Sequence, residues 1–158
     1  MAIAARWIRL EANGGVVLRA ASAGFARAQS PDSAPAALWT EEAPDLAFAL
    51  VVPLKFAPGR AQRWRAWALS PLISAFRHAG LRAYLEAEGI CVSGRRIAAC
   101  EASPVGACAV VVSIFTPPAG RFLEQLRERI ESQYGWEFDH SWPSSAEEEV
   151  MLDQVNAH

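Results

Sequence analysis

Ala43-Pro44-Asp45-Leu46-Ala47-Phe48-Ala49-Leu50-Val51-Val52-Pro53 is the stretch on which the fold turns. Its first three residues are turn formers. The apolar run from Leu46 to Val52 is too short for a buried helix, so it reads as a central strand that Pro53 terminates.

Upstream, Glu41 to Asp45 reads as a turn, and Ser30 to Ala37 as a loop punctuated by Pro31 and Pro35. Trp7 to Leu10 and Val16 to Ala20 read as short strands around Asn13-Gly14-Gly15, a hairpin signal. No helix is expected before this point of the chain.

Downstream, apolar residues recur at three and four from Trp64 through Trp67, Ala68, Leu72, Ile73 and Phe76, which is a helix. Pro71, following Ser70, should kink or restart it, and Gly80 is placed to end it. Short strands follow at Leu81 to Glu86, Ile90 to Ser93 and Ile97 to Glu101, with a tight turn at Ser93-Gly94. Gly106 leads into Ala107 to Phe115, the strongest β signal in the chain because of Val110-Val111-Val112 and Ile114. Pro117-Pro118 stops it. Phe122, Leu126, Ile130 and Gln133/Tyr134 mark one face of a helix closed by Gly135. A last helix begins after Pro143, where Ser145 and Glu148 have capping-box spacing.

The pattern gives an α+β class: a mixed, mainly antiparallel sheet packed against a few helices. With 158 residues, one domain over 1–158 is expected. The chain is 52% hydrophobic and 20% charged, which is a globular composition able to bury its own core.

Fifteen basic and seventeen acidic residues leave a net charge of -2, which argues against non-specific nucleic-acid binding. Cys91, Cys100 and Cys108 form no CxxC pair, and an odd count suits a reducing compartment. No metal-site spacing joins them to His78, His140 or His158. No apolar run reaches the roughly 18 residues of a membrane span, and no continuous apolar stretch near the N-terminus reads as a signal peptide. Cytoplasmic localisation is expected, with neither metal nor cofactor.

Single residues point weakly to chemistry. Cys100 follows Arg95 and Arg96, whose charge would lower a thiol pKa, but strand cysteines are most often buried. His78 precedes a helix end, where a cation suits the helix dipole. His140 lies in the aromatic string Trp136 to Trp142, which reads as strand packing or a partner surface. Glu147-Glu148-Glu149 reads as the solvated first turn of a helix.

The ordered series is more specific. Residues 43–53 resemble the turn and strand of lipoate–protein ligases, in which Gly-Asp-Leu precedes a strand ending Leu-Val-Val-Pro. Ser93-Gly94-Arg95-Arg96-Ile97-Ala98-Ala99 is similar to that family's Gly-Arg-Lys-Ile-Ala-Gly. A helix ending in Gly80-Leu81 lies between them, and a β run and a helix follow in the family's order. Over roughly residues 30 to 150 the chain resembles the biotin/lipoate ligase superfamily, and the resemblance implies that fold. It also implies a shortened version, without the helix that normally precedes the first strands.

The same resemblance implies a pocket whose chemistry has been lost. The family's Arg pair and three glycines fall on residues 31–37, where Pro35, Ala36 and Ala37 supply neither charge nor a Cβ-free backbone. Its His falls near Glu41, and its Asn-Asp pair on Glu88-Gly89. Its essential Lys falls on Arg96, a planar fork in place of a compact point charge. Its next glycine is Ala99, and its His-Gly is Val105-Gly106. The vestigial pocket would comprise Pro35, Ala36, Ala37, Asp45, Gly94, Arg96, Ala99 and Gly106.

The resemblance thus implies a pseudoenzyme that binds a protein partner or an altered acyl-type ligand. A lipoyl-carrier domain or another ligase subunit is the implied partner, with no expectation about oligomeric state. The alternative is a lipoate or octanoate acyltransferase, or a ligase with relocated residues, in which Cys100 is the nucleophile and Arg96 stabilises the oxyanion. A thiol buried in the strand core favours the first reading, and an open cleft beside Arg96 the second.

Overall fold

The computed structural model describes residues 2–11, 15–87, 89–118 and 120–157. Asn13, Gly14 and Glu88 lie outside them. The described elements follow the order β1 (Ile3–Arg9), α1 (Gly15–Arg27), β2 (Ala36–Glu42), β3 (Asp45–Pro53), α2 (Trp64–His78), β4 (Tyr84–Glu86), β5 (Gly89–Val92), β6 (Arg95–Val105), β7 (Cys108–Phe115), α3 (Phe122–Tyr134), β8 (Trp136–His140) and α4 (Ser145–Asn156).

The strands form one eight-stranded mixed sheet in the order β4-β5-β6-β7-β3-β2-β1-β8. β1 runs parallel to β2 and β8, and the remaining neighbours are antiparallel. The central strand is β3, the element read from residues 43–53. Leu46, Phe48, Leu50 and Val52 project into the core shared with α2 and α3, while Ala47, Ala49 and Val51 project toward α1 and α4. Helices on both faces explain why this run is apolar at every position and does not alternate.

α1 corrects the sequence reading. Val16 to Ala20 is helical, and the first helix of the chain therefore precedes α2 by almost fifty residues. Leu18, Ala21, Ser22 and Phe25 are buried at helical spacing, and alanine-rich sequence has high intrinsic helicity. β-Branched Val16 and Val17 beside two glycines imitate a hairpin arm only within a five-residue window. Gly24 lets α4 approach: a Cβ there would lie 2.7 Å from the Met151 Cα and 2.9 Å from the Val150 carbonyl.

β2 corrects the loop expected over Ser30 to Ala37. Ala36 and Ala37 already pair with Val51 and Leu50, and the strand runs on through Leu38, Trp39 and Thr40 to Glu42. Of that stretch only 30–35 connects. Where the strand meets β3, Glu42 pairs with Asp45 across the Ala43-Pro44 turn.

α2 runs unbroken through Pro71. It ends in a Schellman arrangement, with Leu81 N–H donating to Phe76 O at 3.0 Å, Gly80 N–H donating to Arg77 O at 3.0 Å, and Gly80 at φ 93. α3 buries Phe122, Leu126 and Ile130 and ends at Gly135, whose φ of 68 turns the chain into β8. In β8 the aromatic string is strand packing: Trp136 and Phe138 are buried, and Phe138 lies edge-on to Trp7 with ring centroids 5.1 Å apart.

α4 has its capping box one residue earlier than the spacing suggested, at Ser144 and Glu147. Two serines facing three glutamates satisfy the pattern twice, and the tertiary partner decides. Glu147 is only 8% exposed, not a solvated residue, and forms a bidentate pair with Arg6 of β1 at 2.8 and 3.0 Å. Gln29 donates to the same carboxylate at 2.7 Å, and Arg6 also donates to Ser141 Oγ and to the Trp142 carbonyl. This cluster fixes β1, the end of α1 and the start of α4 to one another.

Candidate functional site

The β5–β6 hairpin positions the residues that the sequence singled out. Ser93 (φ 52) and Gly94 (φ 77) both adopt left-handed backbone, the signature of a two-residue type I′ loop between paired Val92 and Arg95. The Gly94 N–H donates to the Tyr84 hydroxyl at 2.9 Å, which ties the tip to β4.

Behind the tip, the β5–β6 register shifts between Ile90 and Cys91, leaving Ile97 as an extra residue on β6. A bulge re-aims the side chains on either side of it. Ile97 and Ala98 both pack toward the α2/α3 core, whereas Arg96 lines a cleft with Ala99 and Glu101 on the α1 side.

That cleft, of about 340 Å³, is walled by Arg96, Ala99, Cys100, Val112 and Ile114, with Arg19 of α1 on its far side. Arg19 Nε pairs with Glu101 Oε2 at 3.0 Å across the opening. A cation above a short apolar floor can take a small carboxylate with an aliphatic tail. Arg19 and Glu101 were not found from sequence, because a strand reading of α1 gives Arg19 no reason to meet β6.

Cys100 contributes to the cleft wall, but its side chain packs against the α2/α3 core, where Sγ lies 3.9 Å from the Ala98 carbonyl. Burial pushes its thiol up to about 11, outweighing the lowering effects of Arg65, the Ile90 backbone and Arg96. Cys108 is raised to about 11 by burial alone, and Cys91 is buried. His78 is the last residue of α2 and is exposed. His140 is exposed on β8, its Nε2 at 3.3 Å from Arg127 Nη1.

The structure brings Arg96, Ala99 and Cys100 together and disperses the other expected pocket residues. Gly94 and Gly106 flank opposite ends of the 11-residue β6, roughly 40 Å apart at about 3.3 Å per residue. Asp45 accepts from the Thr116 hydroxyl at 2.7 Å, two strands across the sheet from β6. Pro35, Ala36 and Ala37 are buried at the start of β2, and the Pro35 carbonyl accepts from Arg6 N–H at 2.9 Å. Among the described residues no group of three or more His, Cys, Asp or Glu could hold a metal ion, and no helix is long and apolar enough to cross a membrane.

No protein-family model matches the sequence, and neither does any curated protein. The fold does match. A chain of the archaeal lipoylation system of Thermoplasma acidophilum, comprising a bi-partite lipoate protein ligase and its E2 lipoyl domain, superposes with a TM-score of 0.82 at 8% identity, covering 98% of this chain and 92% of that one. Lipoate-protein ligase A bound with ATP gives 0.76 at 9% identity, covering 98% and 95%. P. falciparum LipL1 in complex with lipoate gives 0.67 at 6% identity, covering 96% and 71%. α1 lies between β1 and β2, and the match covers 92% and 95% of the first two structures.

Proposed function

Starting from the lipoate–protein ligase fold, we propose that residues 1–158 form a non-catalytic domain of that type, which binds a protein partner or an altered acyl-type ligand. The observation that carries this reading is the state of Ala36 and Ala37. Both are fully buried and registered against Val51 and Leu50. Where the resemblance implies glycines that open the backbone to a phosphate, two methyl groups are packed into the sheet and its cores.

The small cleft supports a ligand without a nucleotide. Arg96 would receive a carboxylate, and Ala99, Val112 and Ile114 would receive a short aliphatic tail. For the partner, a lipoyl-carrier domain is the first to try, since an E2 lipoyl domain accompanies the Thermoplasma ligase. A second ligase subunit is the next, because that ligase is bi-partite. Tryptophan exposure adds little. Trp142 is 77% exposed, but Trp7, Trp39, Trp64 and Trp136 are buried.

The second reading, acyl transfer through Cys100, is favoured by one observation: Arg65 and Arg96 both act electrostatically on the thiol. Packing of the side chain into the core outweighs it, since a protonated thiol is a poor nucleophile.

Thermal-shift titration with lipoate, octanoate, biotin and ATP, followed by calorimetry with a lipoyl-carrier domain, tests the proposal. A ligand at 100 times its Kd stabilises by about 2.7 kcal/mol. The expected pattern is a response to an acyl acid or to the carrier and none to ATP. A response to ATP accompanied by its hydrolysis overturns the reading.

A further inference from the structure

Among the described residues β8 is the outermost strand on its side of the sheet and pairs only with β1. An outer strand normally presents open amides and carbonyls, a template for another chain. Here the Phe138 N–H donates to Glu131 Oε2 at 2.9 Å, and the Phe138 carbonyl accepts from Arg127 Nη2 at 2.6 Å. Arg127 and Glu131 stand one turn apart on α3 with Nε and Oε1 at 3.9 Å. One ion pair therefore supplies the acceptor and the donor that a neighbouring strand would have offered to this residue.

The pair is held in place from both sides. The Arg127 guanidinium lies over the Trp7 ring at 5.3 Å from its centroid, and the Phe138 side chain is buried in the α2/α3 core. On the opposite side of the sheet, α2 reaches carbonyls just before β4 and at its end. Arg77 Nε donates to the Ala83 carbonyl at 2.9 Å, and Arg65 Nη2 donates to the Glu86 carbonyl. Both edges thus meet guanidinium groups from helices on the same face of the sheet.

We infer that the Arg127–Glu131 pair is a side-chain latch that closes the β8 edge and keeps it from pairing with the β8 strand of a second copy. The latch is separate from the cleft at Arg96 and does not depend on its function.

Residue-resolved amide exchange on the natural chain is the first test. Phe138 should exchange at least tenfold more slowly than Trp136 and His140, which alternate with it along the same edge. Equal exchange at the three positions overturns the inference without any variant. The second test is sedimentation velocity of Arg127→Ala/Glu131→Ala alongside Glu131→Gln, which keeps an acceptor. The double variant should self-associate at concentrations where the natural chain and Glu131→Gln sediment as before. A double variant that keeps its fold, loses Phe138 protection and sediments like the natural chain also overturns it.

Discussion

The hydroxyl of Tyr134 donates to the main-chain carbonyl of Trp67. Pro71 stands four residues after Trp67 inside α2 and has no N–H, so that carbonyl loses its helical partner. α3 restores it. Tyr134 also stacks on the Trp67 ring at 4.4 Å between centroids, and burial raises its hydroxyl above the usual phenol range, keeping it a donor. The proline expected to kink or restart the helix is accommodated because a neighbouring helix completes its hydrogen bonding.

Tyr134→Phe should therefore cost about 1–2 kcal/mol in denaturant unfolding, the penalty of stranding a buried acceptor. In a Pro71→Ala background the restored amide can reach Trp67 itself, and the same change should cost less. Strict additivity of the two would show that the carbonyl is not shared.

The Arg6–Glu147 pair makes a contribution to stability that is lost in acid. Burial acts to raise the Glu147 pKa, but hydrogen bonds from Arg6, Gln29 and the Ser144 N–H, together with the Arg6 charge, hold it at about 2. A depressed carboxylate stabilises the fold above its unfolded pKa near 4.5, and that contribution disappears as pH falls from 4.5 through 2. It is worth about 3 kcal/mol. Stability measured across this window should fall in the natural chain and less steeply in Glu147→Gln. The variant should be about 3–5 kcal/mol weaker at neutral pH, because Arg6 loses its counter-ion.

Gly24→Ala carries a sign that separates tertiary from local effects. In an isolated helix the change gains about 1 kcal/mol. In this protein the new methyl would meet the α4 backbone at 2.7 Å, an overlap that costs about 1–3 kcal/mol. A lower Tm is expected, and a higher one would mean that α4 does not pack so closely on α1.

Cys100 should react slowly with iodoacetamide. With its thiol at about 11, the thiolate fraction at pH 7 is roughly one in ten thousand. Mass-resolved labelling of the native protein should leave Cys100 largely unmodified at pH 7 over a period in which urea-unfolded protein labels at all three positions. Fast native labelling at Cys100 would revive the nucleophile reading.

Sequence was informative where one element carries its own signal. β3 and β7 are runs of apolar β formers, α3 repeats at four, and Ser93-Gly94 demands left-handed backbone. It failed where the third dimension decides. β2 begins with Ala36 and Ala37 directly after Pro35, a stretch that looks like a loop until Val51 and Leu50 pair with the two alanines. α1 begins with β-branched residues whose helical stripe emerges only at Ala21, Ser22 and Phe25. At the cleft, Arg96, Ala99 and Cys100 were visible, but the bulge at Ile97 that turns Arg96 away from Ala98 was not. Arg19 and Glu101 had to wait for the helix to be placed against β6.

The most direct measurement combines the chain, octanoate or lipoate, ATP with magnesium and a lipoyl-carrier domain, and follows the carrier's mass. An unmodified carrier and no ATP consumption above background are expected, because a buried Ala36-Ala37 segment cannot cradle a phosphate. An acylated carrier, formed with ATP turnover and lost in Arg96→Ala, would contradict it.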